Sequence, residues 1–209
     1  MAFSTLVAFW AVSLLFVITP GADWAYAISA GIRGRVVPAA VGGMLSGHFI
    51  ATVVVAAGVG GLVANSPIAL TVLTIAGAGY LLWLGVNMLL KPATPHAGEA
   101  ESASSWGKWA AKGLCISGMN PKVFLLFLAL LPQFASTQAT WPLPAQMLAL
   151  GMLHIVSCGA VYLLVGYGAE RLLKARPAAA KAVSRFSGGA MVVISFILIG
   201  EQIYSHWMV

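Results

Sequence analysis

Apolar residues are gathered into six long runs along the chain: residues 4–32, 36–64, 67–90, 113–133, 144–168 and 186–204. An α-helix needs about 20 apolar residues to cross the roughly 30 Å hydrocarbon core of a bilayer. The connections are short apart from residues 91–112, whose prolines and serines are typical of a polar loop, and the basic stretch 169–185. The pattern predicts an all-α membrane protein with six transmembrane helices.

Composition excludes an ordinary soluble domain. Of the 209 residues, 60% are hydrophobic and only 8% are charged, whereas soluble domains carry roughly 25% charged residues. The six runs leave no room for a separate soluble domain. We therefore expect a single membrane domain over residues 1–209, with halves at 1–90 and 113–209 joined by the linker 91–112.

The distribution of basic residues predicts the orientation in the membrane. The net charge is +6, but there is no interleaving of basic and aromatic residues of the kind that would indicate a nucleic-acid site. All but one of the Lys and Arg residues fall in the first, third and fifth connections: Arg33, Arg35, Lys91, Lys108, Lys112, Arg171, Lys174, Arg176, Lys181 and Arg185. Connections rich in Lys and Arg face the cytoplasm. The linker should therefore be cytoplasmic, and both termini should lie outside.

The six runs divide into two sets of three. Because three is odd, a duplicated half would insert upside down, which is the inverted-repeat plan of many transporters. The first helix of each half carries a proline inside its apolar run, Pro20 and Pro121. We therefore predict a 3+3 inverted repeat with broken first helices. Gly43 and Gly47 form a GxxxG pair that allows close helix approach; packing within the chain is favoured, and a homodimer seam is the alternative.

Asp23 is an ionisable residue inside the first run. A charge at a helix centre costs about 2.5–3.5 kcal/mol on insertion scales, so such residues commonly have a function. Pro20 and Gly21 weaken the helix just before Asp23. Asp23 can cap the second half-helix, or its carboxylate can face a substrate ammonium or a proton path. These two roles are compatible.

Lys122 occupies the corresponding place in the fourth run, after Asn120 and Pro121. It lies ten residues past Lys112, which is about 15 Å of helix rise, near the middle of the bilayer. It can form a structural ion pair with Asp23, or it can bind a substrate carboxylate. One acid and one base on broken helices of opposed halves suit the zwitterion of an α-amino acid.

The remaining polar groups do not form a recognisable cofactor or enzyme motif. His48 and His154 are dispersed in the sequence and are accompanied by a single intramembrane Asp, so they do not predict a metal site. They are packing residues or members of a proton relay. Cys115 and Cys158 lack a CxxC context and are expected to be small buried residues. We expect no enzyme, no catalytic residue and no cofactor; without an ATP-binding motif, pumping would use an ion or proton gradient.

Three segments carry a family resemblance. Residues 19–23 (TPGAD) are similar to a TPGPD motif. Residues 79–85 (GYLLWLG) are similar to a YLxxLG signature in a third helix. Residues 120–122 (NPK) and 131–134 (LPQF) are similar to an NPK segment that ends in LPQF. In this order, and with matching length and hydropathy, they resemble the LysE/RhtB family of amino-acid exporters. The departures from the family pattern are Ala22, Trp24 and Ser117.

The resemblance implies a secondary transporter of the bacterial inner membrane that exports an amino acid or a derivative, driven by the proton-motive force. The expected partners are that substrate, protons and the lipid bilayer. The resemblance implies that Asp23 and Lys122 lie in functional motifs. Taken together with the residue pattern, the candidates for substrate binding or coupling are Pro20, Gly21, Asp23, Trp24, Tyr80, Asn120, Pro121 and Lys122, and the candidates for a proton relay are His48 and His154. Two alternatives stay open, namely efflux of an inorganic cation and thiol–disulfide electron transfer through Cys115 and Cys158.

Overall fold

The computed structural model describes residues 1–33, 35–65, 67–92, 105–168 and 177–207, and these residues contain helices and no strand. The α-helices among them are α1 (Phe3–Val17), α2 (Ala22–Arg33), α3 (Val37–Asn65), α4 (Pro67–Leu90), α5 (Trp106–Gly118), α6 (Pro121–Leu130), α7 (Leu143–Tyr167) and α8 (Pro177–Trp207). A short 3₁₀ helix, Leu131–Phe134, continues α6. The expectation of an all-α chain is confirmed.

Two of the apolar runs are broken near their prolines, as predicted. Helices α1 and α2 meet at 63°, and α5 meets the segment from Lys122 to Phe134 at 52°. Proline lacks an N–H and clashes inside a helix but is tolerated in the first turn. Pro20 accordingly lies in the gap between α1 and α2, and Pro121 begins α6.

Several helices have the length and composition of membrane spans. Helices α3 and α7 qualify alone, and up to four spans result if each bent pair counts as one. Helices α4 and α8 contain shorter apolar stretches, Thr74–Leu90 and Arg185–Gly200. The described helices thus overlap the apolar runs found in the sequence.

The linker prediction was too long at its C-terminal end. Residues 93–104 lie outside the described residues, but α5 begins at Trp106 rather than at residue 113. Lys108 and Lys112 interrupt the apolar run, yet both lie on the exposed side of the helix. Trp109 is buried, stacks on Tyr26 with ring centroids 5.2 Å apart, and accepts a 2.7 Å hydrogen bond from the Tyr26 hydroxyl on its carbonyl. These tertiary contacts extend the helix beyond the apolar run.

Small residues let α3 pack closely against α5. A Cβ atom added to Gly43 would overlap the Ala110 carbonyl oxygen, and one added to Gly47 would lie 2.5 Å from the Gly118 nitrogen. The GxxxG pair therefore serves contacts within the chain. Helix α3 also packs against α7, while α4 packs against α8. In addition, α3 packs against both helices of the second break, and α7 packs against both helices of the first.

Gly43→Ala should destabilise the protein, because its Cβ would meet backbone that cannot move without displacing α5. Overpacking of this kind costs about 1–3 kcal/mol. The measurement is the thermal unfolding midpoint of the purified protein in detergent. Gly42→Ala is the matched control, since its Cβ would have no atom within 4 Å. Equal midpoints for the two variants would contradict the close packing of α3 on α5.

Candidate functional site

A small internal cavity lies where the two helix breaks approach α3 and α7. Its volume is about 40 Å³, room for a few waters, since one water needs about 10–15 Å³. The polar or functionally predicted residues in its lining are Thr19, Gly21, Asp23, Trp24, His48, Asn120, Lys122, His154 and Tyr162.

Asp23 is the most heavily bonded polar group of the cavity. It is only 8% exposed, and it lies in the first turn of α2, where the helix dipole favours a negative charge. Its Oδ1 accepts a 2.8 Å hydrogen bond from the Ser117 hydroxyl, and its Oδ2 accepts one of 3.1 Å from the Tyr162 hydroxyl. His48 Nε2 lies 3.7 Å from Oδ2. The carboxylate thus joins α2, α3, α5 and α7.

Lys122 faces the same cavity from the second break. Asn120 caps α6, because its side-chain oxygen accepts a 3.0 Å hydrogen bond from the Lys122 backbone N–H. A Cβ added to Gly21 would lie 3.7 Å from the Lys122 Nζ, which places the ammonium against the first break. Among the described residues, no carboxylate lies within 4.0 Å of that ammonium. Lys122 and Asp23 therefore share the cavity without the direct ion pair that was one of the two expectations.

Trp24 supports the first break and forms part of the cavity wall. Its indole N–H donates a 2.9 Å hydrogen bond to the Val17 carbonyl at the end of α1. The break would otherwise leave this carbonyl without a helical partner. Pro20 is buried behind the cavity, whereas the side chain of Pro121 lies outside the described residues. Trp24 thus has a structural role in addition to the substrate contact predicted for it.

The two histidines lie together, so the prediction that they are dispersed was wrong. Helices α3 and α7 pack side by side, and the rings of His48 and His154 stack with centroids 5.6 Å apart. His48 Nδ1 is 3.0 Å from the Met44 carbonyl oxygen. His154 Nδ1 is 2.7 Å from the Ser13 hydroxyl, and its Nε2 is 3.3 Å from the Cys158 sulfur. Sequence separation concealed this cluster because the two residues belong to different halves.

One predicted site residue lies elsewhere. Tyr80 on α4 is absent from the cavity lining and stacks on Trp83 with centroids 5.8 Å apart. Conversely, the sequence analysis missed Ser117 and Tyr162 as partners of Asp23. Ser117 was noted only as a departure from the family pattern, and that departure was the available signal. Of the two cysteines, Cys158 is buried as expected, but Cys115 is exposed.

Comparison with known proteins agrees with the resemblance seen in the motifs. The chain is 29% identical over 206 residues to the homoserine/homoserine lactone efflux protein of Salmonella typhimurium, covering 95% of this chain and 97% of that protein. It is 29% identical to the leucine efflux protein of Enterobacter sp., covering 81% and 82%, and 27% identical to the cysteine/O-acetylserine efflux protein of Escherichia coli, covering 64% and 67%. No solved structure matches the chain. The model of the LysE type translocator matches residues 14–202, and the chain therefore belongs to the LysE/RhtB family of membrane transport proteins.

Proposed function

We propose that this protein exports a neutral amino acid, or a derivative of one, across the bacterial inner membrane, driven by the proton-motive force. In this proposal, Asp23 binds the ammonium of the substrate and Lys122 binds its carboxylate. The observation that carries the proposal is that both charges line one buried cavity without forming a direct ion pair. A zwitterion between them would satisfy both charges at once.

The balance of charge in the cavity supports a substrate without a charged side chain. Asp23 is the only carboxylate among the described lining residues, and Lys122 is the only ammonium. A dibasic amino acid would leave one cation in a low-dielectric site without an acid, and burying an unpaired charge is strongly unfavourable. Efflux of homoserine, leucine and cysteine by the relatives is in keeping with this assignment.

The small volume of the cavity supports a closed state of an alternating-access cycle. At the roughly 10–15 Å³ that each water needs, the cavity of about 40 Å³ holds about three waters. We propose that an amino acid binds after the two breaks have moved apart. Broken helices at the interface of two repeats commonly form the binding sites of secondary transporters. We propose that α2 and α6 move relative to α3 and α7 to open the site, on either side of the membrane in turn.

The polar cluster beside Asp23 supports coupling to protons. The Asp23 carboxylate lies 3.7 Å from His48, and His48 stacks on His154, which in turn contacts Ser13. Carboxylates and imidazoles in sequence form proton relays in membrane transporters. We propose that this path carries the coupled proton between the substrate site and the α1 side of the protein.

The helix contacts support six spans in a 3+3 inverted repeat, with α1 to α4 corresponding to α5 to α8. Under that correspondence, the packing of α3 on α7 and of α4 on α8 maps onto itself. The contact between α3 and α5 then corresponds to the contact between α7 and α1. The contact between α3 and α6 corresponds to the contact between α7 and α2. All four contacts are present. Six spans would put both termini on the same side of the membrane, and the distribution of Lys and Arg supports the periplasmic side.

Asp23→Asn and Lys122→Met should each strongly reduce export at a substrate concentration that does not saturate the wild type. Loss of one charged hydrogen bond to the substrate costs about 1.5–3 kcal/mol, which is about a tenfold to hundredfold loss in affinity. The measurement is export of labelled neutral amino acids from proteoliposomes. Lys108→Met is the matched control, because it removes an exposed lysine outside the cavity. Wild-type export by either site variant would place the substrate elsewhere.

An imposed proton gradient should drive export, and dissipating it should stop export. The proposed coupling path contains a carboxylate and two imidazoles, which can gain and lose protons. No ATP-binding motif is present in the sequence. The measurement is amino-acid movement in proteoliposomes under a pH gradient, with and without a protonophore. A sodium gradient of equal size is the control. Protonophore-resistant export that follows sodium instead would exclude proton coupling.

A reporter enzyme that is active only in the cytoplasm should be inactive when fused after residue 209. The same reporter inserted in the linker 91–112 should be active, because that connection is basic and should face the cytoplasm. The measurement is reporter activity in intact cells, normalised to the amount of fusion protein. An active C-terminal fusion would require an odd number of spans or the opposite orientation.

A further inference from the structure

Three potential metal ligands converge beside the cavity. His48, His154 and Cys158 are all buried, and one ligand atom from each lies within 4.8 Å of the other two. One of these separations, between His154 Nε2 and Cys158 Sγ, is 3.3 Å. Asp23 Oδ2 lies 3.7 Å from His48 Nε2. In the described part of the chain, two imidazoles and one thiol therefore meet at one place, with a carboxylate beside one of the imidazoles.

Hydrogen bonds orient both imidazoles for metal binding. A carbonyl oxygen can only accept, so the contact with Met44 at 3.0 Å puts the proton of His48 on Nδ1 and leaves Nε2 with a lone pair. His154 Nδ1 is held by the Ser13 hydroxyl at 2.7 Å, which leaves its Nε2 directed to Cys158. Ligating histidines are typically held by a hydrogen bond to the second ring nitrogen, which fixes the tautomer and the ring.

We propose that this cluster binds Zn²⁺ through His48, His154 and Cys158, with Asp23 as the fourth ligand. Zinc prefers four-coordinate tetrahedral sites, with bonds of about 2.0–2.1 Å to nitrogen and about 2.3 Å to sulfur, so that neighbouring ligand atoms lie about 3.3–3.6 Å apart. Two separations, 3.3 and 3.7 Å, are already close to these values. Within the set of His48, His154 and Cys158, the widest separation is at most 4.8 Å, and reaching the tetrahedral spacing takes a shift of about 1.2–1.5 Å. The Asp23 carboxylate, which lies beside His48, must also turn toward the other two ligands. On binding, the Cys158 thiol loses its proton to solvent and its sulfur bonds to the metal.

The cavity provides the route by which the ion reaches its ligands. Asp23, His48 and His154 all line it, and its volume admits a partly hydrated ion. A site with four protein ligands, one of them a thiolate, resembles the closed sites that retain zinc rather than the open ones that release it. Zinc bound there occupies Asp23, the proposed partner of the substrate ammonium. The ion therefore acts as an inhibitor of export and is not the exported cargo.

Metal binding is tested on the purified protein, independently of any transport activity. Co²⁺ is the spectroscopic probe, because a cobalt–thiolate bond gives an intense charge-transfer absorption in the near ultraviolet. One equivalent of Co²⁺ should give this absorption, and one equivalent of Zn²⁺ should remove it. Cys158→Ser should abolish the absorption, while Cys115→Ser, which removes the exposed cysteine, should preserve it. No absorption in the wild type, or its loss in Cys115→Ser alone, would overturn the site.

The inhibitory role rests on the proposed export function and has its own assay. Zn²⁺ should inhibit amino-acid export by the wild type in proteoliposomes. Cys158 does not line the cavity, so Cys158→Ser should export normally without zinc. The variant should need at least about tenfold more zinc for the same inhibition, because loss of even an outer-shell partner of a metal ligand lowers metal affinity by about 10–100-fold. Equal sensitivity of the two proteins, or accumulation of zinc across the membrane, would overturn the inhibitory role.

The two assays separate the two proposals. If the protein binds Co²⁺ through Cys158 but transports no amino acid, the export proposal fails and the metal site stands. If export proceeds but no cobalt–thiolate absorption forms, the metal site fails and the export proposal stands. A circular-dichroism spectrum of Cys158→Ser that matches the wild type verifies that the variant is folded in both assays.

Discussion

The structure depends on the requirement that backbone polar groups inside a membrane find partners within the protein. A proline in an apolar helix breaks the hydrogen-bond ladder and releases such groups. At the first break, the Thr19 hydroxyl donates to the Leu15 carbonyl and the Trp24 indole donates to the Val17 carbonyl. At the second, the Asn120 side chain accepts from the Lys122 N–H. Each break must therefore face the interior, which brings Asp23 and Lys122 into one cavity.

Close packing of small residues completes that arrangement. Gly47 meets Gly118 nearly in backbone contact, so the end of α5 lies directly against α3. Ser117 is the neighbour of Gly118, and from there its hydroxyl reaches the Asp23 carboxylate at 2.8 Å. A larger side chain at position 47 would move α5 outward and take both Ser117 and the second break with it. By allowing the helices to pack closely, the glycines thus also position polar groups.

The carboxylate at the centre of the cavity is held by neutral donors rather than by the nearby cation. Ser117 and Tyr162 each donate one hydrogen bond to Asp23, while Lys122 remains more than 4.0 Å from it. Neutral donors orient a carboxylate without cancelling its charge. A buried ion pair would lower the attraction of the site for the proposed zwitterion. The same separation lets Asp23 take part, beside His48, in the proposed metal site.

Hydrophobic patterning was sufficient to predict the all-α class, the apolar runs and the two breaks, because each is a local property of the chain. A proline breaks a helix wherever it lies in the middle of one, and an isolated Asp or Lys in an apolar run is visible without a structure.

The start of α5 at Trp106 could not be predicted in this way, since it depends on contacts between Trp109 and Tyr26. The pairing of His48 with His154, the partners of Asp23 and the position of Tyr80 outside the cavity could not be predicted from the sequence either. These depend on which helix faces pack together, and in an all-apolar helix no polar stripe marks the buried face. The sequence alone therefore determined where the chain breaks and which charges it buries, and the tertiary structure decided which of those groups meet.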